Sequence, residues 1–194
     1  CGPDVHSLAE HLGWPVLADP RSAARVPGAS TVAAFDALVR NAGFAADHRP
    51  EVVLRFGAPP ASKVLDQWLT ASNADLVVVD PSGRWSDPGH RSAALVHGTV
   101  ATMATACRSI NAGRGTPWGA RWRHAEQTAQ RALTAAFERE PFPNEPAVAR
   151  HLVASMPENS VVVASSSMPV RDVEWFAEPR DGVRVLANRG ANGI

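Results

Sequence analysis

The chain has 194 residues, 45% of them hydrophobic, which is enough for one large or two small cores. Nineteen basic residues balance nineteen acidic ones, so no net field exists to hold a polyanion by counterion release, and nucleic acid is set aside as a partner. Cys1 and Cys107 have neither CxxC nor metal-ligand spacing, and no run approaches the roughly 18 apolar residues of a membrane span, so a reducing cytoplasmic setting is expected.

Val5, Leu8 and Leu12 share one face and predict a helix over 3–12, stopped by Gly13 and followed by a short strand over 15–18. A doubly wound fold normally opens on a strand, so a strand is expected upstream of Cys1. Val32, Phe35, Leu38 and Val39 predict a helix over 31–41, and the run over 51–57 predicts a buried strand. A helix over 60–71 and a strand over 75–80 follow, the strand ending in the turn Pro81-Ser82-Gly83. Residues 92–110 predict a further strand and helix. Alternating strands and helices imply a parallel sheet covered on both faces.

The Gly/Asn/Pro cluster over 111–117 reads as a linker, which places a domain boundary between 114 and 115. A long helix is predicted over 118–139, broken by the proline-rich stretch 140–146. A second helix to Ser155 is capped by Asn144 or its neighbour, with Pro146 in its first turn. It delivers the chain to a strand over 161–164, a helix after Pro169, and a strand over 183–186. The fold class expected is therefore α/β: a doubly wound parallel sheet over 1–114, then the first elements of a second α/β domain over 115–194.

Chemistry concentrates where the last two strands end. Ser165-Ser166-Ser167 forms a strand-to-helix turn in which one serine can cap the helix, or in which a hydroxyl and the helix amides can receive an anion. Arg171 stands near the start of that helix, where the dipole disfavours a cation, so Asp172, Glu174 or a ligand must compensate it. Asn188-Arg189-Gly190-Ala191-Asn192-Gly193 suits a loop that approaches a ligand closely, or a plain turn. Ligands of open α/β sheets sit beyond the carboxyl ends of the strands, so Ser167, Arg171 and Arg189 are expected on one pocket edge. Two guanidinium forks there favour a substrate with more than one carboxylate. Lys63, the one lysine of the chain, opens a helix at the corresponding edge of the first sheet. No GxGxxG, Walker or GxSxG pattern occurs, and His90 and His97 lack partners at ligand spacing.

The strings Ser166-Ser167-Met168-Pro169-Val170-Arg171-Asp172-Val173-Glu174-Trp175-Phe176 and Ala187-Asn188-Arg189-Gly190-Ala191-Asn192-Gly193-Ile194 resemble the SEPHCHC synthase family, thiamine-diphosphate enzymes of menaquinone biosynthesis. Leu54-Arg55-Phe56-Gly57 through Lys63 to Trp68 is similar to a further segment of that family. The resemblance implies decarboxylation of 2-oxoglutarate and addition of the succinyl carbanion equivalent to isochorismate. It implies Ser167, Arg171, Arg189 and Lys63 as substrate-binding positions, and a cytoplasmic homodimer or tetramer. Thiamine diphosphate and Mg²⁺ (or Mn²⁺) are implied as cofactors, with their ligands outside this chain, so the 194 residues alone are expected to be inactive. Two departures occur: Val64 stands where many members carry arginine, and Ser62 where they carry glycine. The alternatives are another thiamine-diphosphate carboligase, or a regulatory module in which Arg21, Arg25, Arg40, Arg49 and Arg55 hold an anion.

Overall fold

The computed structural model describes residues 2–110 and 116–188. Helix α1 (Gly2–Leu12) packs on α5 (Val100–Cys107) and buries Leu8 and Leu12 against Cys107. Three parallel strands form the first sheet in the order β1 (Val52–Phe56), β2 (Asp75–Asp80), β3 (Ser92–His97). Registers Val53↔Leu76 and Val79↔Val96 set the central strand, whose Val78 and Val79 are fully buried. Three consecutive β-branched residues suit such a strand, because their stiff side chains pack well on a pleated surface.

Helix α4 (Lys63–Ser72) makes the crossover from β1 to β2. It starts where Ser62 Oγ accepts the Leu65 N–H at 3.0 Å and stops at Asn73, whose φ of 53° is left-handed.

Two local expectations are corrected. Over 15–18 only Val16 pairs, in an isolated parallel bridge with Thr31; Pro15 lacks a donor, and a turn from Asp19 to Ser22 takes the chain away. The helix expected over 31–41 begins later, as α2 (Phe35–Arg40), because the Val32 N–H is engaged with the Val16 carbonyl at 3.0 Å. It ends at Asn41, whose side chain caps a further short helix, α3 (Ala42–Asp47), by accepting the Phe44 N–H.

Helix α6 (Pro117–Phe137) has Pro117 in its first turn and Thr116 as its cap. The Thr116 hydroxyl donates to the Gly13 carbonyl at 3.0 Å, and a Cβ at position 119 would collide with that same oxygen. Gly119 therefore permits α6 to lie against the end of α1. One turn on, Trp122 is wholly buried among Val32, Phe35, Val39, Leu65 and Trp68, and meets Phe44, His48, Trp68 and Trp118 edge to face.

Helix α7 (Glu145–Ser155), capped by Asn144 through the Ala147 N–H, leads into the second sheet, β4 (Ser160–Ala164) and β5 (Val183–Ala187), with α8 (Met168–Phe176) between them. The two strands are parallel and end level, at Ala164↔Ala187. One face, with Val162, Ala164 and Val185, is covered by Val153 and Val173 from α7 and α8. The two sheets lie on either side of the expected 114/115 division, while α6, placed after it, fills the core of the first unit.

Candidate functional site

The level ends of β4 and β5 put residues 165–167 and 188 at one sheet edge. The Ser166 hydroxyl donates to the Asn188 carbonyl across that edge, tying the two turns together. The Val170 N–H closes the turn from inside by donating to the Ser165 carbonyl at 3.2 Å.

Ser167 occupies the cap position of α8 and makes no capping bond, so of the two roles open to the triple serine the cap is not the one Ser167 fills. Its φ of 77° and ψ of −125° fall in a region that glycine enters freely and other residues do not. A serine held there costs of order 1–3 kcal/mol of local strain, and such strain concentrates at sites where a side chain must be presented. The Ser167 side chain is exposed and is engaged neither by the helix end nor, among the described residues, by another group.

Arg171 follows in the first turns of α8 and is exposed, with no hydrogen bond or ion pair to another described residue. Asp172 and Glu174, the two acids expected as compensators, are both buried. Burial, reinforced by Glu145, pushes the Asp172 carboxyl above its ordinary range. The cation near the helix start is thus left facing solvent. Arg189 lies outside the described residues.

Lys63 is the exposed first residue of α4. The serine before it, a departure from the resembled family, has an explicit role: Ser62 Oγ caps α4 and donates to Asp36 Oδ2 at 2.5 Å. Ser62→Ala is expected to destabilise the chain by about 1–3 kcal/mol through the lost cap and the lost hydrogen bond to buried Asp36. A matched pair of urea titrations checks this, and a change within error would show that the cap is dispensable. Among the described residues no hydrogen bond or ion pair joins Lys63 to Ser167 or Arg171.

The link between the two helices is indirect, through a partly buried junction that sequence reasoning did not assemble. Asp36 accepts from Ser62 and, at 2.6 Å, from Arg40 Nε; the Arg40 guanidinium in turn lies 5.4 Å over the Trp175 ring of α8. Asp19 receives a two-pronged bond from Arg21 at 2.8 Å on each oxygen, and also accepts the Ala61 N–H just before α4. Burial pushes the Asp19 carboxyl up, but the Arg21 guanidinium and the two backbone donors outweigh it and hold it below the ordinary range.

Arg25, only 8% exposed, donates to the Ala18 carbonyl at 3.0 Å and to the Glu174 and Ala177 carbonyls at 2.9 Å each. Burial lowers its pKa to about 10, against the pull of Glu174, Glu126 and Asp19, so it stays charged at neutral pH. Glu174 is 1% exposed and its Oε1 has no hydrogen-bond partner among the described residues. Burial first, then Asp19 and Asp36, push its carboxyl up to about 7, with Arg25 and Arg21 opposing.

Of the five arginines named in the regulatory alternative, Arg25 is buried on backbone carbonyls, Arg21 and Arg40 pair with Asp19 and Asp36, Arg55 donates to the Ser86 carbonyl, and Arg49 is exposed. The described residues do not fit a metal-bound diphosphate. Asp19 and Asp36 are occupied by arginines, and no trio of histidine, cysteine, aspartate or glutamate among the described residues is placed to hold a metal ion. Among those residues no helix is long and apolar enough to cross a membrane.

A family described as "Middle domain of thiamine pyrophosphate" matches residues 2–163. The 2-succinyl-5-enolpyruvyl-6-hydroxy-3-cyclohexene-1-carboxylate synthase of Myxococcus xanthus is 44% identical over 195 residues, covering 98% of this chain and 33% of its own length. The synthases of that name from Chloroflexus aurantiacus and Listeria welshimeri are 35% and 34% identical, covering 100% and 96% of this chain. The chain spans about a third of the length of each of these relatives.

Proposed function

We propose that this chain, which belongs to the thiamine pyrophosphate middle-domain family, supplies the carboxylate-recognition edge of a 2-succinyl-5-enolpyruvyl-6-hydroxy-3-cyclohexene-1-carboxylate synthase. The reaction in this reading decarboxylates 2-oxoglutarate and adds the resulting succinyl carbanion equivalent to isochorismate. The observation that carries it is the pairing at the second sheet edge: an unengaged hydroxyl on Ser167, in the turn that Ser166 ties to Asn188, and an exposed guanidinium on Arg171 in the α8 that follows.

Arg171 offers a planar fork of donors that meets a carboxylate with two parallel hydrogen bonds, and Ser167 adds a donor beside it. Arg189, one residue beyond Asn188, and Lys63 are the further cations assigned to the substrate. These groups orient the acceptor and compensate its charge, and proton transfer is not asked of them. Thiamine diphosphate and its metal, Mg²⁺ or Mn²⁺, are held in this reading by residues other than those described. The metal, the homo-oligomeric state, the cytoplasmic location and the division into a unit over 1–114 and one over 115–194 rest on the family resemblance and the linker composition.

The test uses a polypeptide of the relatives' full length that contains this segment, assayed with 2-oxoglutarate and isochorismate. Product formation is expected with that pair and not when pyruvate replaces isochorismate as acceptor. Arg171→Ala is expected to raise the KM for isochorismate roughly 10- to 100-fold, the range for losing one charge-assisted hydrogen-bonding partner. Turnover of other acceptors at equal efficiency, or an unchanged KM in Arg171→Ala, would overturn the reading.

A further inference from the structure

We propose that Arg25 is a positioning residue for the carboxylate-binding edge: from the first unit, it fixes the far end of α8 and so sets where that helix presents Ser167 and Arg171. The inference rests on the reading that this edge binds substrate, and adds to it the group that aims it.

The last carbonyls of a helix have no partner within the helix and carry the negative end of its dipole. In α8 those carbonyls are taken by two arginines arriving from different sides. Arg25, which belongs to the loop before α2, takes Glu174 and Ala177, about 150 positions away in sequence. Arg150 of α7 takes Phe176 at 2.8 Å, and also bonds Gln130 and Thr134 of α6. Arg150 therefore ties α8 to α7 and α6, and Arg25 ties it to the loop before α2.

Arg25 is suited to the task and hard to replace. Its second nitrogen reaches two carbonyls while the first holds Ala18 of its own loop, so one rigid guanidinium plane spans both units. An ammonium of similar length offers a point charge on a flexible stem and does not span the three oxygens in that plane.

The contacts around it transmit the constraint to the other candidate helix. Asp19, next to Ala18, also accepts the Ala61 N–H at the start of α4, and Asp36 links the Ser62 cap to Arg40 and Trp175. The start of α4, which bears Lys63, and the end of α8 are thus referenced to one partly buried frame. Over its nine residues α8 is about 13 Å long, so a small tilt at the Arg25 end displaces Arg171 and Ser167 at the other. Displacements of about 1 Å are enough to impair a binding constellation.

The experiment compares Arg25→Met, Arg25→Lys and Arg171→Ala in a polypeptide of the relatives' full length containing this segment. It reads steady-state kinetics with isochorismate and amide hydrogen exchange resolved to α8. Arg25→Met is expected to raise the KM at least tenfold with kcat changed less than threefold. It should also accelerate exchange of the α8 amides at least tenfold, with those of β1 and β2 changed less than twofold. Arg25→Lys should fall between Arg25→Met and the unaltered protein in both readouts, and it decides the question by those readouts if Arg25→Met does not fold. Unchanged KM in folded Arg25 variants, unchanged exchange in α8, or acceleration spread evenly over β1, β2 and α8 would overturn the inference. A raised KM in Arg171→Ala without one in the Arg25 variants overturns this inference alone; an unchanged KM in Arg171→Ala overturns the substrate reading beneath it.

Discussion

Replacing Trp122 by alanine is expected to lower the unfolding free energy by about 3–5 kcal/mol, the range for removing a large aromatic from a packed core. The side chain is fully buried, and its neighbours come from α2, α3 and α4 as well as α6, so they cannot collapse into the space by moving one element. Edge-to-face contacts of this kind add about 0.5–1.5 kcal/mol each beyond area burial. The indole N–H has no hydrogen-bond partner among the described residues, which offsets part of the gain. Trp122→Phe should therefore cost distinctly less than Trp122→Ala, since it keeps most of the ring and removes the unbonded donor. Urea denaturation followed by circular dichroism checks both variants. A loss below about 1 kcal/mol for alanine would mean that α6 is not an integral part of the first core.

That role of α6 shows where reading from sequence stops. The period of the helix was legible, because Trp122, Ala129, Leu133 and Phe137 recur on one face, and Asn144 and Pro146 announced the next helix start. The partner of that face was not legible. A Gly/Asn/Pro stretch before Pro117 looks like a linker whether the following helix moves on or folds back, and what makes it fold back is the close approach that Gly119 allows over the Gly13 carbonyl. Parallel strands were found for a related reason: runs such as Leu76-Val77-Val78-Val79 are specified locally, whereas the pairing of Val16 with Thr31 depends on two residues meeting across a loop.

The candidate site divides in the same way. Ser167 and Arg171 stand on one turn, so their proximity followed from sequence, and the strained backbone at Ser167 was the part that no local signal gave. The junction was nearly invisible. Asp36 and Arg40 at helical i,i+4 spacing, and Asp19 with Arg21, could have been picked out as local pairs. Nothing near Arg25 in the sequence indicates that its partners are the carbonyls of Glu174 and Ala177, and a loop arginine is ordinarily solvated.

Replacing Glu174 by glutamine is expected to raise stability at pH 8 by up to about 3 kcal/mol and to flatten the pH dependence between about 4.5 and 7. The reason lies in its burial and in the charges that act on it. Asp19 and Asp36 oppose its ionisation and Arg25 and Arg21 favour it, so these charges already balance when Glu174 is neutral. Burial, then Asp19 and Asp36, raise its pKa from an ordinary 4.5 to about 7 in the folded chain. Between those values the folded state holds a proton that the unfolded state has released. Unfolding free energy therefore falls as pH rises through that window, by about 1.4 kcal/mol per unit, and the loss is complete above pH 7. This is the opposite of a salt-bridged carboxylate such as Asp19, whose lowered pKa adds stability that disappears as pH falls. Glutamine keeps the shape of the protonated acid and cannot ionise, so the variant should match the unaltered chain near pH 4.5 and exceed it at pH 8. Urea titrations at half-unit intervals measure the two curves. Parallel curves with the same slope from pH 4.5 to 7 would show that Glu174 is ionised in the fold throughout, and that the junction tolerates a third negative charge beside Asp19 and Asp36.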